Sequence, residues 1–222
     1  ISAIASGAAY EIDVNPSRAS RISTSGSITL EGRGAGAEYL GALVLSSPSL
    51  ISLRGDRPEI NAGFVITSSP EVVIESFGAS FSSAVSTTEL TIGSATRGLR
   101  IGKTTNTADV TLGSSMTLNG PLEVYARDIF VTNRPNFVLT SESARITLKA
   151  TRDIDIAAGT SDTVRARLQT QNGDIILWVN SANGGTGYMY LGDFTVLNSA
   201  NGAVSKTGSG GGRISLGGGS AA

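Results

Sequence analysis

The chain of 222 residues contains neither cysteine nor histidine. Without cysteine there is no disulfide framework and no thiolate zinc site, and without histidine the commonest general base and metal ligand is missing. Most familiar catalytic constellations are thereby excluded, and no cofactor or metal site is expected. Charge is also scarce, at 16% of residues where an ordinary domain carries about 25%, and aromatics make up only 5%. With a net charge of −1 and lysine only at Lys103, Lys149 and Lys206, there is no basic footprint for nucleic acid. No apolar run approaches the roughly 18 to 20 residues of a spanning helix, so no direct membrane insertion is expected. The opening "ISAIASGAAYEIDVNPSRAS" lacks the basic head and apolar centre of a signal peptide. A start at Ile1 rather than Met reads as a mature or excised piece, with any export signal outside it.

What the chain does have is 28 glycines among many Ser, Thr, Ala and Asn, a composition of small repeating units rather than one deep core. Ten short words alternate apolar and other residues: "SITL" at Ser27, "LISL" at Leu50, "EVVI" at Glu71, "ELTI" at Glu89, "DVTL" at Asp109, "DIFV" at Asp128, "DIDI" at Asp153, "DIIL" at Asp174, "DFTV" at Asp193 and "RISL" at Arg213. Their lead residues are separated by 23, 21, 18, 20, 19, 25, 21, 19 and 20 positions. In every word the second and fourth side chains are aliphatic or Phe and share one face. A second apolar patch lies between most words, as in "LVL" from Leu43, "FVI" from Phe64 and "LEV" from Leu122.

Short strands recurring about every 20 residues, parted by Gly, Asn, Ser and Thr, predict a parallel β-helix of about ten coils. A β-sandwich also has closely spaced strands, but gives no reason for one word to return in one phase. No apolar stripe at helical spacing is present. Residues 1–26 read as a less regular lead or the continuation of a longer chain, and 27–222 as the solenoid with a Gly-rich end. The longest interval, around "NRPNF" from Asn133, reads as a loop insertion.

The phrases "LTIGSATRGLRIGKTTNTADVTLGSSMTLNGPLEVYARDIFV", "ARITLKATRDIDIAAG", "QTQNGDIILWVNSANGGTGYMYLGD" and "GGGRISLGGG" resemble the repeats of filamentous-haemagglutinin-like bacterial surface proteins, over roughly Leu90 to Gly219. The resemblance implies a right-handed parallel β-helix, exported and held at or released from the cell surface, working as a stalk or adhesin without enzymatic activity. Its expected partners are glycans, extracellular matrix or neighbouring copies in a filament. A polysaccharide-processing β-helix enzyme is the alternative.

Several residues are candidates for chemistry. Glu71, Glu89, Asp109, Asp128, Asp153, Asp174 and Asp193 lead seven consecutive words. Stacked ~4.8 Å apart, neighbouring carboxylates would repel by about 0.9 kcal/mol even in water, so either bound cations or corner N–H groups and arginines must offset them. The latter is the plainer expectation, with Arg127 and Arg152 directly before two of the acids. Asp153 and Asp155 have the i, i+2 spacing that puts two carboxylates on one face, as an acid and base would need. Arg54, Gly55 and Asp56 spell a tripeptide that receptor ligands display, although Gly-Asp before Pro58 is also ordinary corner chemistry. Trp178, aimed outward by alternation, could form a sugar-stacking platform with Tyr188 and Tyr190, although the plainer expectation is that the two tyrosines, sharing one face, pack inside. The "NSANG" phrase recurs with Asn180 and Asn198, which predicts a short amide ladder between neighbouring coils.

Overall fold

The computed structural model describes residues 1–5, 20–33, 38–132, 137–142, 144–161, 164–181, 187–199 and 212–219. Every regular element among them is a strand, and every registered strand pair is parallel. The first face is one sheet of nine strands, stacked as β1 (Ser2–Ala5), β3 (Ile28–Gly32), β6 (Leu50–Arg54), β9 (Glu71–Glu75), β12 (Gly98–Ile101), β15 (Leu122–Ala126), β18 (Ile146–Ala150), β21 (Ile175–Val179) and β24 (Ile214–Gly218). The second face holds the pair β4 (Glu38–Leu40) and β7 (Pro58–Ile60), then β10 (Val85–Ser86), β13 (Val110–Leu112), β16 (Ile129–Val131), β19 (Ile154–Ile156) and β22 (Met189–Leu191). The third holds β2 (Ser20–Ser23), β5 (Leu43–Ser46), β8 (Phe64–Ser68) and β11 (Leu90–Ile92), then β14 (Met116–Leu118), β17 (Phe137–Ser141), β20 (Ala166–Thr170) and β23 (Val196–Asn198).

The molecule is a parallel β-solenoid. Seven consecutive turns, from β3–β4–β5 to β21–β22–β23, place one strand on every face in the same order. The expected ten coils of about 20 residues are therefore too many and too short. Registered partners on the first face are 21 residues apart from Ile51 to Val72 and 29 apart from Ile146 to Ile175. The ten words fall on different faces: "DVTL", "DIFV" and "DIDI" on the second, "ELTI" on the third, and "SITL", "LISL", "EVVI", "DIIL" and "RISL" on the first. "DFTV" is mostly a turn, with Phe194 at φ 61° before β23.

Alternation builds the core. On the first face Ile28, Ile51, Val72, Leu99, Leu122, Ile146 and Ile175 form one buried column in register, and Leu30, Leu53, Ile74, Ile101, Val124, Leu148 and Leu177 form a second. Each such side chain contributes on the order of 1.5–3 kcal/mol by leaving water, and none could do so without the turns above and below. Hydroxyls stitch successive turns at a corner: Ser47 Oγ donates to the Gly26 carbonyl at 2.8 Å, Ser69 Oγ to that of Ser49 at 2.7 Å, and Ser141 Oγ to that of Gly120 at 2.8 Å.

Only the first face is continuous. No registered pair joins β7 to β10 on the second face, or β11 to β14 on the third, among the described residues. These two seams lie one turn apart, beside the long connections that leave β9 and β12. There Phe81 plugs the core, and the buried Asn106 ties three turns together. Its Oδ1 accepts from Phe81 N at 3.3 Å and its Nδ2 donates to the Tyr125 carbonyl at 2.9 Å.

Part of the 1–26 lead belongs to the sheets, because β1 pairs with β3 and β2 with β5. The insertion expected at Asn133 lies outside the described residues. The two "NSANG" phrases occupy different corners of a single turn, Asn180 after β21 on the first face and Asn198 at the end of β23 on the third. They cannot form a ladder with each other.

Candidate functional site

Charged groups on the outer wall pair from one rung to the next. Glu31, only 3% exposed, accepts from Arg33 and, at 2.8 Å, from Arg54 Nη1. Arg54 Nε lies 3.1 Å from one oxygen of Glu75, whose other oxygen accepts from Arg100 Nη1 at 3.2 Å. The guanidinium groups of Arg33 and Arg54 also sit 5.4 and 5.6 Å from the centre of the Phe77 ring. The Arg33 hydrogen bond holds the Glu31 carboxyl below its ordinary range, against the opposing pull of burial.

This ladder decides the geometry of the Arg54-Gly55-Asp56 tripeptide. Arg54 is committed to two carboxylates, and Gly55 is buried with its N–H donated to the Glu75 carbonyl at 3.0 Å. Asp56 Oδ1 accepts from Gly78 N at 3.0 Å, and its carbonyl accepts from Ser82 N at 2.7 Å. The three residues form a corner stacked on the next turn, not the tip of an open loop.

The seven lead acids do not form one column. Glu71 and Asp174 stand on the first face, Glu89 and Asp193 enter strands of the third, and only Asp109, Asp128 and Asp153 stack together, at the entry to the second. Arginines alternate with those three. Arg127 clasps Asp109 through Nε at 2.9 Å and Nη2 at 2.8 Å, and Arg152 clasps Asp128, which is 1% exposed. Hydrogen bonds to Asp109 and Asp128 raise the pKa of Arg127 and Arg152 respectively. The acids also accept N–H groups from the following turn: Asp153 N reaches Asp128 Oδ1 at 3.2 Å, Tyr188 N reaches Asp153 Oδ1 at 2.9 Å, and Arg213 N reaches Asp174 Oδ1 at 2.6 Å. No cluster of three or more potential metal-ligating side chains occurs among the described residues.

The candidate acid–base pair of "RDIDI" is split. Asp153 is held at the corner by Arg152 and the Tyr188 N–H, while Asp155 projects from mid-strand in β19 between Phe130 and Tyr190 in register. Tyr188 and Tyr190 are 56% and 47% exposed, which corrects the expectation that they pack inside. Met189 packs against the core instead, in register with Ile154, while Leu191, in register with Ile156, is 37% exposed. Trp178 is on the first face, apart from both tyrosines. Its Nε1 donates to the Gly219 carbonyl at 2.7 Å, and its ring lies where a side chain at Gly217 would project.

Shallow depressions mark the wall among the described residues. A pair of about 370 and 430 Å³ shares Pro121 and Glu123 beside the first face. Another of about 120 Å³ is lined by Thr104, Tyr125, Ala126, Lys149, Thr151 and Ser181. No family model, curated protein or solved structure matches this chain. Its chemistry must therefore be read from the wall itself.

One feature of that wall went unnoticed in the sequence. Tyr125, Lys149 and Trp178 stand in register on three successive rungs of the first face. The outward phase of Lys149 in "ITLKA", and the rarity of lysine in this chain, were the available signals.

Proposed function

We propose that this chain is a structural and adhesive rod segment of a large exported bacterial surface protein, of the filamentous-haemagglutinin-like kind. The observation that carries the reading is the use made of its charges. Glu31–Arg54–Glu75–Arg100 and Asp109–Arg127–Asp128–Arg152–Asp153 run from rung to rung, fastening turns together instead of converging on one cleft. A wall of this kind gives reach and resistance to unravelling, and leaves flat polar faces for glycans, matrix or neighbouring copies. In register with Ile175 and Leu177, the apolar Ile214 and Leu216 of β24 are exposed, which favours stacking of a further rung at that end.

Adhesion is tested by coating beads with the purified chain and measuring their retention on glycan and matrix surfaces, with negative-stain images to record single rods or filaments. Retention above that of uncoated beads is expected. Cleavage of a panel of acidic polysaccharides, lost on Asp155→Asn, would replace this reading with that of a polysaccharide-processing enzyme.

A further inference from the structure

On the first face, Arg33, Arg54, Arg100 and Arg145 each have a carboxylate partner. Lys149 is different. Its ammonium has no hydrogen bond, ion pair or ring contact among the described residues, although it stands in register between Tyr125 below and Trp178 above. All three side chains are partly buried, so the cation sits on a wall and not at the tip of a loop.

The surroundings are built for a ligand with both a charge and a ring. Trp178 is fixed by its bond to the Gly219 carbonyl and by the bare backbone at Gly217, which leaves room for the indole to lie across the next rung. Burial, then the Glu123 carboxylate, raises the pKa of the Tyr125 phenol, which therefore stays neutral at physiological pH. Thr104, Thr151 and Ser181 line the adjoining depression, and their hydroxyls have no partner among the described residues. At about 120 Å³ this depression is well below the roughly 300 Å³ at which pockets begin to hold whole small molecules. It has room for one substituent group, with the rest of the ligand resting on the neighbouring aromatic side chains.

We propose that Lys149, Tyr125 and Trp178 form a binding site for an acidic sugar unit of a glycan chain. The anionic group pairs with Lys149 and takes hydrogen bonds from the Thr and Ser hydroxyls. The pyranose C–H face stacks on Trp178 or Tyr125, and the glycan runs along the rod axis, across rungs about 4.8 Å apart. A neutral glycan would leave the cation without a partner, so selectivity follows the charge. The site rests on the adhesive reading of the rod and supplies a ligand class for it.

Trp178 is the sole tryptophan, so its emission reports this site alone. The intact chain is titrated with an oligogalacturonate, a sulfated oligosaccharide and a neutral oligosaccharide of equal length. A saturable emission change with one or both acidic ligands is expected, the two arms separating carboxylate from sulfate as the preferred anion, with none for the neutral one. Lys149→Gln should weaken acidic binding at least tenfold, and Lys149→Arg should restore most of it. Equal response to the neutral ligand, unchanged affinity in Lys149→Gln, or no emission change with any ligand would overturn the site. Retention of coated beads that persists after such a failure would leave the adhesive rod standing, whereas loss of both would remove it as well.

Discussion

Tight stacking of backbone on backbone makes some glycines irreplaceable for reasons of space alone, and Gly93 is the clearest test. It follows β11, with its N–H donated to the Ile66 carbonyl at 2.7 Å. A Cβ built there would lie 2.5 Å from the Thr67 carbonyl oxygen, 3.0 Å from its carbonyl carbon and 3.1 Å from its Cα. All three are backbone atoms of a registered strand, so no rotamer change relieves the clash. Gly26 is the control, because a Cβ there meets nothing within 4 Å. Alanine at either position restricts the unfolded chain and so gains about 0.4–1 kcal/mol. At Gly93 that gain is opposed by an overpacking cost of about 1–3 kcal/mol. The expected net is a loss of about 1–2 kcal/mol for Gly93→Ala and a small gain for Gly26→Ala. For a chain of this length, each kcal/mol moves Tm by roughly 2–4 °C. Thermal unfolding followed by circular dichroism should then show the two variants moving in opposite directions. If Gly93→Ala melts at or above the parent temperature, the claimed backbone contact between β8 and β11 is wrong.

Other variants probe the core and the ladders. Leu148→Ala, between Val124 and Leu177 in the inward column, should cost about 2–5 kcal/mol in the same melt. Thr147 on that strand buries a hydroxyl with no partner among the described residues, so Thr147→Val should raise stability by about 1 kcal/mol. The Glu31 carboxyl titrates below its ordinary value of 4.5 in the folded protein, so its contribution is complete above that pH and is lost as pH falls through the folded value. The stability gap between the parent and Glu31→Gln, measured against pH, should accordingly be widest near neutrality and close in acid. A gap that stays constant down to strong acid would deny the ladder its role.

The strands were legible in the sequence because burial on one side imposes a period of two, and "LISL" or "DIIL" can scarcely be read otherwise. Their arrangement was harder to read. All three faces use the same inward alternation, so a word such as "DVTL" carries no mark of belonging to the second face and not the first. Counting words at 20-residue intervals thus mixed faces and inflated the number of turns. The same confusion joined Glu71 and Asp174 to the true column of Asp109, Asp128 and Asp153. Partners brought together only by stacking had no local signature. Glu31 and Arg54 are 23 positions apart, and nothing near either residue in the chain announces the other. Tyr188 and Tyr190 share the outer side because Met189 between them, wholly apolar, takes the place against the core in register with Ile154.

The two seams give the solenoid a mechanical direction. Bending that opens the second or third face at its seam parts no registered strand pair among the described residues, whereas bending that opens the first face must part strands of an unbroken ladder. The nine-strand wall thus acts as the inextensible side of a leaf spring, and the seams, offset by one turn, as its compliant side. Under lateral load such a rod curves with its continuous wall on the inside, pressing the face that carries Lys149 and Trp178 into the concavity.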